Sequence, residues 1–314
     1  MIESINKHIF VESNNFFLFG FSYWKYCQIK DFFSLDGICH NVYLCSSLEQ
    51  ACKRNFNNTN TVFLIWGLKQ LKDVETYAKL NNVRLYRVED GFIRSFTSNS
   101  AFPKISSIAV DSRGIYLDPS RESDLEWILN NYSFGSELIE RSKNLIDKLL
   151  RTNVTKYSFQ TESDGNFINI HNRKKILIPG QIEEGWSVLY GGNGLSMLDM
   201  VKIIRENNSN AYLVYKIPPD ILPIKRRINE LRTALQQYID QFICDESIVS
   251  CINFSDEVHT LTSLAGFEAL IRGKKVYTYG SPFYSGWGLT SDMNSKNNNR
   301  KRKLALEELV AAAL

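Results

Sequence analysis

The sequence predicts an α/β protein made of two doubly wound, Rossmann-like domains facing one another across a cleft. Short apolar runs rich in β-branched and aromatic residues recur along the chain, and polar periodic segments of helical length separate them. The alternation stops at one polar stretch and then restarts, which marks a second domain. The 314 residues suffice for two domains of ordinary size.

In the first half, residues 16–20 (FFLFG), 41–45 (NVYLC), 61–66 (TVFLIW) and 83–88 (VRLYRV) read as strands, with 68–80 as an intervening helix. Residues 105–110 and 115–117 read as strands joined by a tight turn at Asp111-Ser112-Arg113-Gly114, followed by helices over 123–130 and 136–151. Residues 152–174 are polar and aperiodic, and this linker divides an N-terminal Rossmann-like domain of residues 1–165 from a C-terminal one of residues 166–314. The second half restarts with a strand at 175–178, a helix over 196–206, a strand at 211–216 and a long helix over 225–242. Strands at 257–260 and 275–279 flank a helix that starts at Ser263, and a helix over 304–314 closes the pattern.

Composition excludes several function classes. The net charge of +3 is too weak for a nucleic-acid partner. The basic run at 296–303 (KNNNRKRK) is the one segment suited to peripheral contact with an anionic inner-membrane surface. Six cysteines, at positions 27, 39, 45, 52, 244 and 251, include no CxxC pair, which points to free thiols in a reducing cytoplasm. The opening residues (MIESINKHIF) do not read as a secretory signal, and no apolar stretch approaches the ~20 residues of a spanning helix. The four histidines are scattered without metal-ligand spacing, so neither a metal nor a cofactor is expected.

Four segments carry chemical information. In 258–270 (VHTLTSLAGFEAL) a strand ends in small hydroxyl residues and a helix begins. A helix N-terminus presents unpaired N–H groups and a partial positive charge, which suits a phosphate. Thr262 and Ser263 can cap that helix and donate to phosphate oxygens. Gly266 permits close approach of a ligand or neighbouring backbone, and Glu268 offers a carboxylate to ribose hydroxyls. Ordinary serine capping with a packed glycine is the competing reading. In 87–95 (RVEDGFIRS), Glu89 and Asp90 stand at the C-terminal end of a strand, where ligands of open α/β sheets gather; a turn with a surface ion pair is the alternative. Residues 176–187 (ILIPGQIEEGWS) again run a strand into a loop with two acids, Glu183 and Glu184. Residues 280–290 (GSPFYSGWGLT) form a glycine-aromatic loop in which Phe283 and Trp287 read as cover for the core. His259 reads as a donor-binding or satisfied structural histidine rather than a base.

Together these stretches, with 109–126 (AVDSRGIYLDPSRESDLE), TKYS at 155–158 and VYK at 214–216, resemble the capsule-linker β-Kdo transferases, the KpsC-like capsule polysaccharide proteins and related O-antigen enzymes. The motifs occur in the family's order from about residue 83 onward. The chain has room for one of the two modules that the larger capsule enzymes carry, and looks closer to their second. The resemblance implies a GT-B-like fold, a donor of the CMP-Kdo type (Kdo is 3-deoxy-D-manno-octulosonic acid) and a glycolipid or oligosaccharide acceptor. It also implies company with capsule-assembly proteins, and retention through a carboxylate nucleophile. It assigns the CMP-sugar to Lys216, His259, Thr262, Ser263, Gly266 and Glu268, and places Glu89 and Asp90 in a signature that lines the cleft, as acid-base or acceptor binder.

The chain also departs from that family. Gly185 stands where the nucleophilic Asp aligns, and Pro218 replaces the His of a Lys-Pro-His-Pro-Asp strand end. Glycine cannot attack and proline cannot donate to a leaving phosphate, while Trp186 adds bulk where the sugar is expected. Residues 96–100 (FTSNS) replace a glycine-bearing loop. Two expectations follow: a glycosyltransferase in which Glu184 or Glu183 attacks, or a catalytically silent member that binds nucleotide or polysaccharide or partners an active transferase.

Overall fold

The computed structural model describes residues 15–33, 41–93, 105–156, 167–168, 172–293 and 299–314. They fall into two compact units. One runs to Gly91 and resumes through Ile115; the other takes Phe92 and everything from Tyr116 onward. The boundary expected at 165/166 lies outside the described residues, and the helices that precede it belong to the second unit.

In the first unit, β1 (Asn15–Phe19), β2 (Asn41–Cys45), β3 (Thr61–Trp66), β4 (Arg84–Asp90) and β5 (Ile108–Asp111) form one sheet in the order β2-β1-β3-β4-β5. The first four are parallel; β5 returns antiparallel and pairs Ile108 with Asp90. Alternation along β1 sends Phe16 and Leu18 into one core, with Val62, Leu64 and Val88, and Phe17 and Phe19 into the other, with Phe63, Ile65 and Val74. Strands covered on both faces need no polar alternation, hence the continuous apolar runs FFLF and VFLIW. Helices α1 (Tyr23–Ile29), α2 (Leu48–Cys52) and α3 (Lys72–Leu80) make the crossovers, and the Ser22 and Ser47 hydroxyls cap the first two. The helix expected from residue 68 starts only at Lys72, because Gly67, at φ +57°, turns the chain after β3. Residues 115–117 form no strand. The Asp111 carboxylate accepts from the N–H groups of Arg113 and Gly114 and closes the ladder there.

The second unit carries six parallel strands, β6 (Lys175–Pro179), β7 (Tyr212–Lys216), β8 (Gln241–Ile243), β9 (Glu257–Thr260), β10 (Lys275–Thr278) and β11 (Ser291–Asp292), in the order β11-β10-β9-β6-β7-β8. Helices α4 (Asp124–Asn131), α5 (Ser136–Thr152), α6 (Trp186–Gly191), α7 (Met197–Asn207), α8 (Lys225–Leu235), α9 (Ile248–Phe254), α10 (Leu264–Ile271) and α11 (Leu306–Ala313) surround the sheet. The single helix expected over 225–242 is cut at Leu235, and β8 takes its end. Winding proceeds outward from β6 through β7 to β8, then returns to the other side of β6 for β9, β10 and β11. The C-terminal ends of β6 and β9 therefore diverge, and a crevice opens between their loops.

Within the basic run at 296–303, Arg300 and Arg302 are engaged inside the fold while Lys301 and Lys303 stay exposed; residues 294–298 lie outside the described set. The Arg300 side chain is 3% exposed, pairs with Glu126 at 2.9 Å, and donates to the carbonyls of Pro282 and Ser285. Arg302 donates to the Tyr132 carbonyl at 2.7 Å and pairs with Glu308 at 3.2 Å. Among the described residues no helix is long and apolar enough to cross a membrane. Cys27, Cys45, Cys52, Cys244 and Cys251 are free thiols; Cys39 lies outside the described residues.

Candidate functional site

A cavity of about 430 Å³ occupies the crevice at the C-terminal ends of β6, β7 and β9, and residues of the second unit alone line it. Gln181 ties its two main loops together. Its Nε2 donates to Thr262 Oγ1 at 2.9 Å, while its Oε1 accepts from the Thr262 N–H at 3.0 Å and from Thr260 Oγ1 at 3.3 Å. Thr260 Oγ1 in turn accepts from the Ser263 N–H at 3.0 Å, and Ser263 Oγ accepts from the Ala265 N–H at 3.3 Å as the cap of α10. The strand-to-helix turn is thus held from both sides, with Thr262, Ser263 and Leu264 on the cavity wall.

Lys216 ends β7 and enters the cavity wall with 4% exposure; its Nζ donates to the Cys244 carbonyl at 2.6 Å. Burial lowers its pKa, although nearby acids and thiols oppose the shift. Glu268, on the second turn of α10, also lines the cavity, and its Oε1 accepts from the Lys156 N–H at 3.1 Å. Burial raises the pKa of this carboxyl, so it is held toward its protonated form.

The two adjacent acids of the β6 loop part company. Glu184 lines the cavity; Glu183 is absent from its wall, and its Oε1 accepts from the Met197 N–H at 2.8 Å, at the start of α7. Gly185 and Pro218 both line the cavity, so the two departures from the family pattern fall at the site. Trp186 does not fill it: the ring is 39% exposed and packs beside Tyr190.

Two expected site residues serve the core instead. His259 is 3% exposed, stacked on Tyr277 at 4.3 Å, with Nδ1 on the Tyr279 hydroxyl at 3.1 Å and Nε2 3.5 Å from Glu257. Burial pushes its pKa down to about 4, against the pull of Glu257. It is a satisfied structural histidine and is not part of the cavity wall. Gly266 meets a side chain rather than a ligand: a Cβ there would stand 2.3 Å from the Tyr284 hydroxyl, which donates to the Ser263 carbonyl. Phe283 and Trp287 are buried as core cover, and Phe283 also forms part of the wall, 4.4 Å from the Phe92 ring.

Glu89 and Asp90 belong to the first unit, at the end of β4. Asp90 is 6% exposed and pairs with Lys25 at 3.3 Å, whose ammonium lies 3.4 Å from the centre of the Trp66 ring. The pair is half-buried, with the Lys25 side chain 18% exposed. Glu89 Oε1 accepts from the Asp90 N–H at 3.0 Å. Arg94, Ser95 and residues 96–100 lie outside the described set. Gln181, Lys156 and Asp220, also on the cavity wall, were not singled out from the sequence, although PGQ and TKYS contain the first two.

A family described as capsule polysaccharide biosynthesis protein matches residues 61–314. The capsule polysaccharide modification protein LipA of Neisseria meningitidis is 35% identical over 296 residues, 94% of this chain and 41% of LipA, so the chain spans about two fifths of that relative. The lipopolysaccharide-processing protein LpsZ of Rhizobium meliloti is 33% identical over 299 residues, 94% of this chain and 68% of LpsZ. Two solved structures of Thermosulfurimonas dismutans KpsC also align. The β-Kdo 2,7 transferase is 35% identical with a TM-score of 0.73, covering 96% of this chain and 90% of that one. The β-Kdo 2,4 transferase is 25% identical with a TM-score of 0.77, covering 94% and 89%. The fold is accordingly GT-B-like, α/β with two largely parallel sheets. With its cavity at the β6/β9 switch point and these relatives along nearly its whole length, the chain belongs to the capsule polysaccharide biosynthesis protein family, related to the KpsC β-Kdo transferases.

Proposed function

We propose that the cavity is the donor site of a glycosyltransferase that takes a CMP-activated sugar of the Kdo type and passes it to a glycolipid or oligosaccharide of capsule or lipopolysaccharide. The observation that carries this reading is the convergence of Lys216, the Ser263-capped start of α10 and Glu268 on one cavity that also holds Glu184. A departing CMP bears its charge on phosphate. The Lys216 ammonium and the positive end of α10 offset that charge without a metal. A carboxyl kept toward its protonated form, as Glu268 is, can both donate to and accept from ribose hydroxyls.

Glu184 supplies the carboxylate that position 185 lacks. Its attack on the anomeric carbon expels CMP and leaves a glycosyl-enzyme, which an acceptor hydroxyl then displaces with net retention. Glu89 and Asp90 are assigned to acceptor binding or proton transfer. A second reading, a catalytically silent member that holds nucleotide, draws on Gly185 and Pro218 both standing on the cavity wall.

The test is CMP release from CMP-Kdo in the presence of a lipid-linked or oligosaccharide acceptor mixture. The transferase reading expects acceptor-dependent release that falls at least about a hundredfold in Glu184→Gln. Silence in the wild type with turnover in Gly185→Asp/Pro218→His marks the silent reading. A Cβ at Gly185 would meet only the Ile182 carbonyl oxygen, at 3.1 Å, so that variant can be built. Calorimetric CMP binding without release in either protein also selects the silent reading.

A further inference from the structure

Arg300 and Arg302 are engaged inside the fold while Lys301 and Lys303 stay exposed, and a second group of exposed cations, continuous in sequence with the cavity wall, lies on another element. Helix α8 reads KRRINELRTAL, four cations against one acid, and Glu230, that acid, is paired with Arg226 at 2.7 Å. Lys225, Arg226, Arg227 and Arg232 are exposed. Immediately before them, at the N-cap of α8, Ile224 holds an aliphatic side chain 43% exposed. This surface continues from the cavity: Pro218, Pro219 and Asp220 are on its wall, and the short turn Pro219–Ile221 leads straight into Ile224. The β6 loop on the same wall also leads into water-facing apolar groups, with Trp186 39% and Leu189 61% exposed on α6.

We propose that Ile224 with Lys225, Arg226, Arg227 and Arg232 is a docking surface for an anionic lipid membrane. Cations on a helix face gain from the potential of anionic headgroups, and an aliphatic group among them gains by entering the interfacial layer. The exposed isoleucine decides for lipid over a soluble polyanion, which would use the same cations and gain nothing from an apolar side chain. One aliphatic group with a short basic patch gives reversible attachment rather than permanent anchoring. Docking by this face sets the cavity beside the membrane, where a lipid-borne acceptor is presented. That consequence rests on the transferase reading; the docking itself does not.

The experiment is co-sedimentation of the full chain with sucrose-loaded vesicles, of phosphatidylcholine alone or with about one third phosphatidylglycerol. Expected is pelleting with the anionic vesicles only, weakening as salt is added. Arg226→Glu/Arg227→Glu should lower the apparent affinity at least about tenfold. Ile224→Asn, which adds no charge and leaves a good N-cap, should lower it several-fold without changing retention on immobilised heparin. Lys301→Glu/Lys303→Glu should leave vesicle binding unchanged, and unchanged melting curves show that each variant is folded. Failure of the wild type to pellet, equal pelleting with neutral vesicles, or loss in the Lys301/Lys303 variant alone overturns the proposal. Full vesicle binding by Ile224→Asn, with heparin stripping the protein, also overturns it in favour of a polyanion surface. A chain that pellets but releases no CMP retains the docking surface and loses the transferase reading; turnover without pelleting does the reverse.

Discussion

An imidazole shut between Tyr277, Tyr279 and Glu257 makes His259 a reporter of folding rather than of catalysis. Its pKa falls from 6.5 to about 4 on folding, chiefly through burial. Between those values the unfolded chain binds more protons than the folded one, so stability rises with pH through that window. It is fully present above 6.5 and lost as pH drops toward 4, a span of about 3 kcal/mol. Urea unfolding across this range measures it, and His259→Gln should flatten this part of the curve. Lys216 carries the opposite test. If the cavity takes CMP as proposed, the phosphate meets this ammonium, whose pKa burial lowers, so CMP affinity should decline as pH rises, earlier than for an exposed lysine. Titration calorimetry from neutral into alkaline pH checks this, with Lys216→Met losing the dependence. At this scale the sequence was a good guide where a motif is contiguous: Thr262, Ser263 and Glu268 reach the cavity together. It could not separate Glu183 from Glu184, because only the turn toward α7, with its Met197 N–H, decides which acid is taken. Nor could it show Gln181 bridging to Thr262, since that contact exists only once β6 and β9 are neighbours.

The start of α10 is shaped by a tyrosine from the glycine-aromatic loop. Tyr284 is wholly buried, fills the space over Gly266 and donates its hydroxyl to the Ser263 carbonyl. Gly266→Ala should therefore cost about 1–3 kcal/mol in melting experiments, by forcing the ring away, and should also weaken CMP binding by shifting Ser263. Other elements show how periodicity misleads. Leu231, Leu235 and Ile239 keep helical spacing past the true end of α8, and all three pack into one core. The Asp240 carboxylate accepts from the Leu213 N–H and pairs with Arg173 and Arg205, which draws the chain to the sheet as β8. Most strands were legible because they are buried on both faces. β8, three residues long, leaves no pattern of its own.

At the scale of the whole molecule, distant segments of the second unit are joined by few groups. The Arg300–Glu126 pair, with side chains 3% and 5% exposed, links α4 to the 282–285 loop and to the chain before α11. Removing one partner strands a buried charge: Arg300→Met should destabilise by about 3–5 kcal/mol, while Arg300→Met/Glu126→Met should recover much of it. Unfolding followed by tryptophan emission suits this test, since Trp287 lies 5.6 Å from the guanidinium. The expected division at 165/166 placed α4 and α5 with the first unit on chain order alone; their apolar faces instead pack into the core that holds Leu309 and Val310. That same core includes Phe92, Leu129 and Leu149. Seen from the ribosome, the first unit has every one of its described strands once Asp111 emerges, whereas the second must keep these apolar side chains uncovered until α11 is made. Nascent chains arrested before residue 304 should thus carry a protease-resistant first unit attached to a second that is still a client for chaperones.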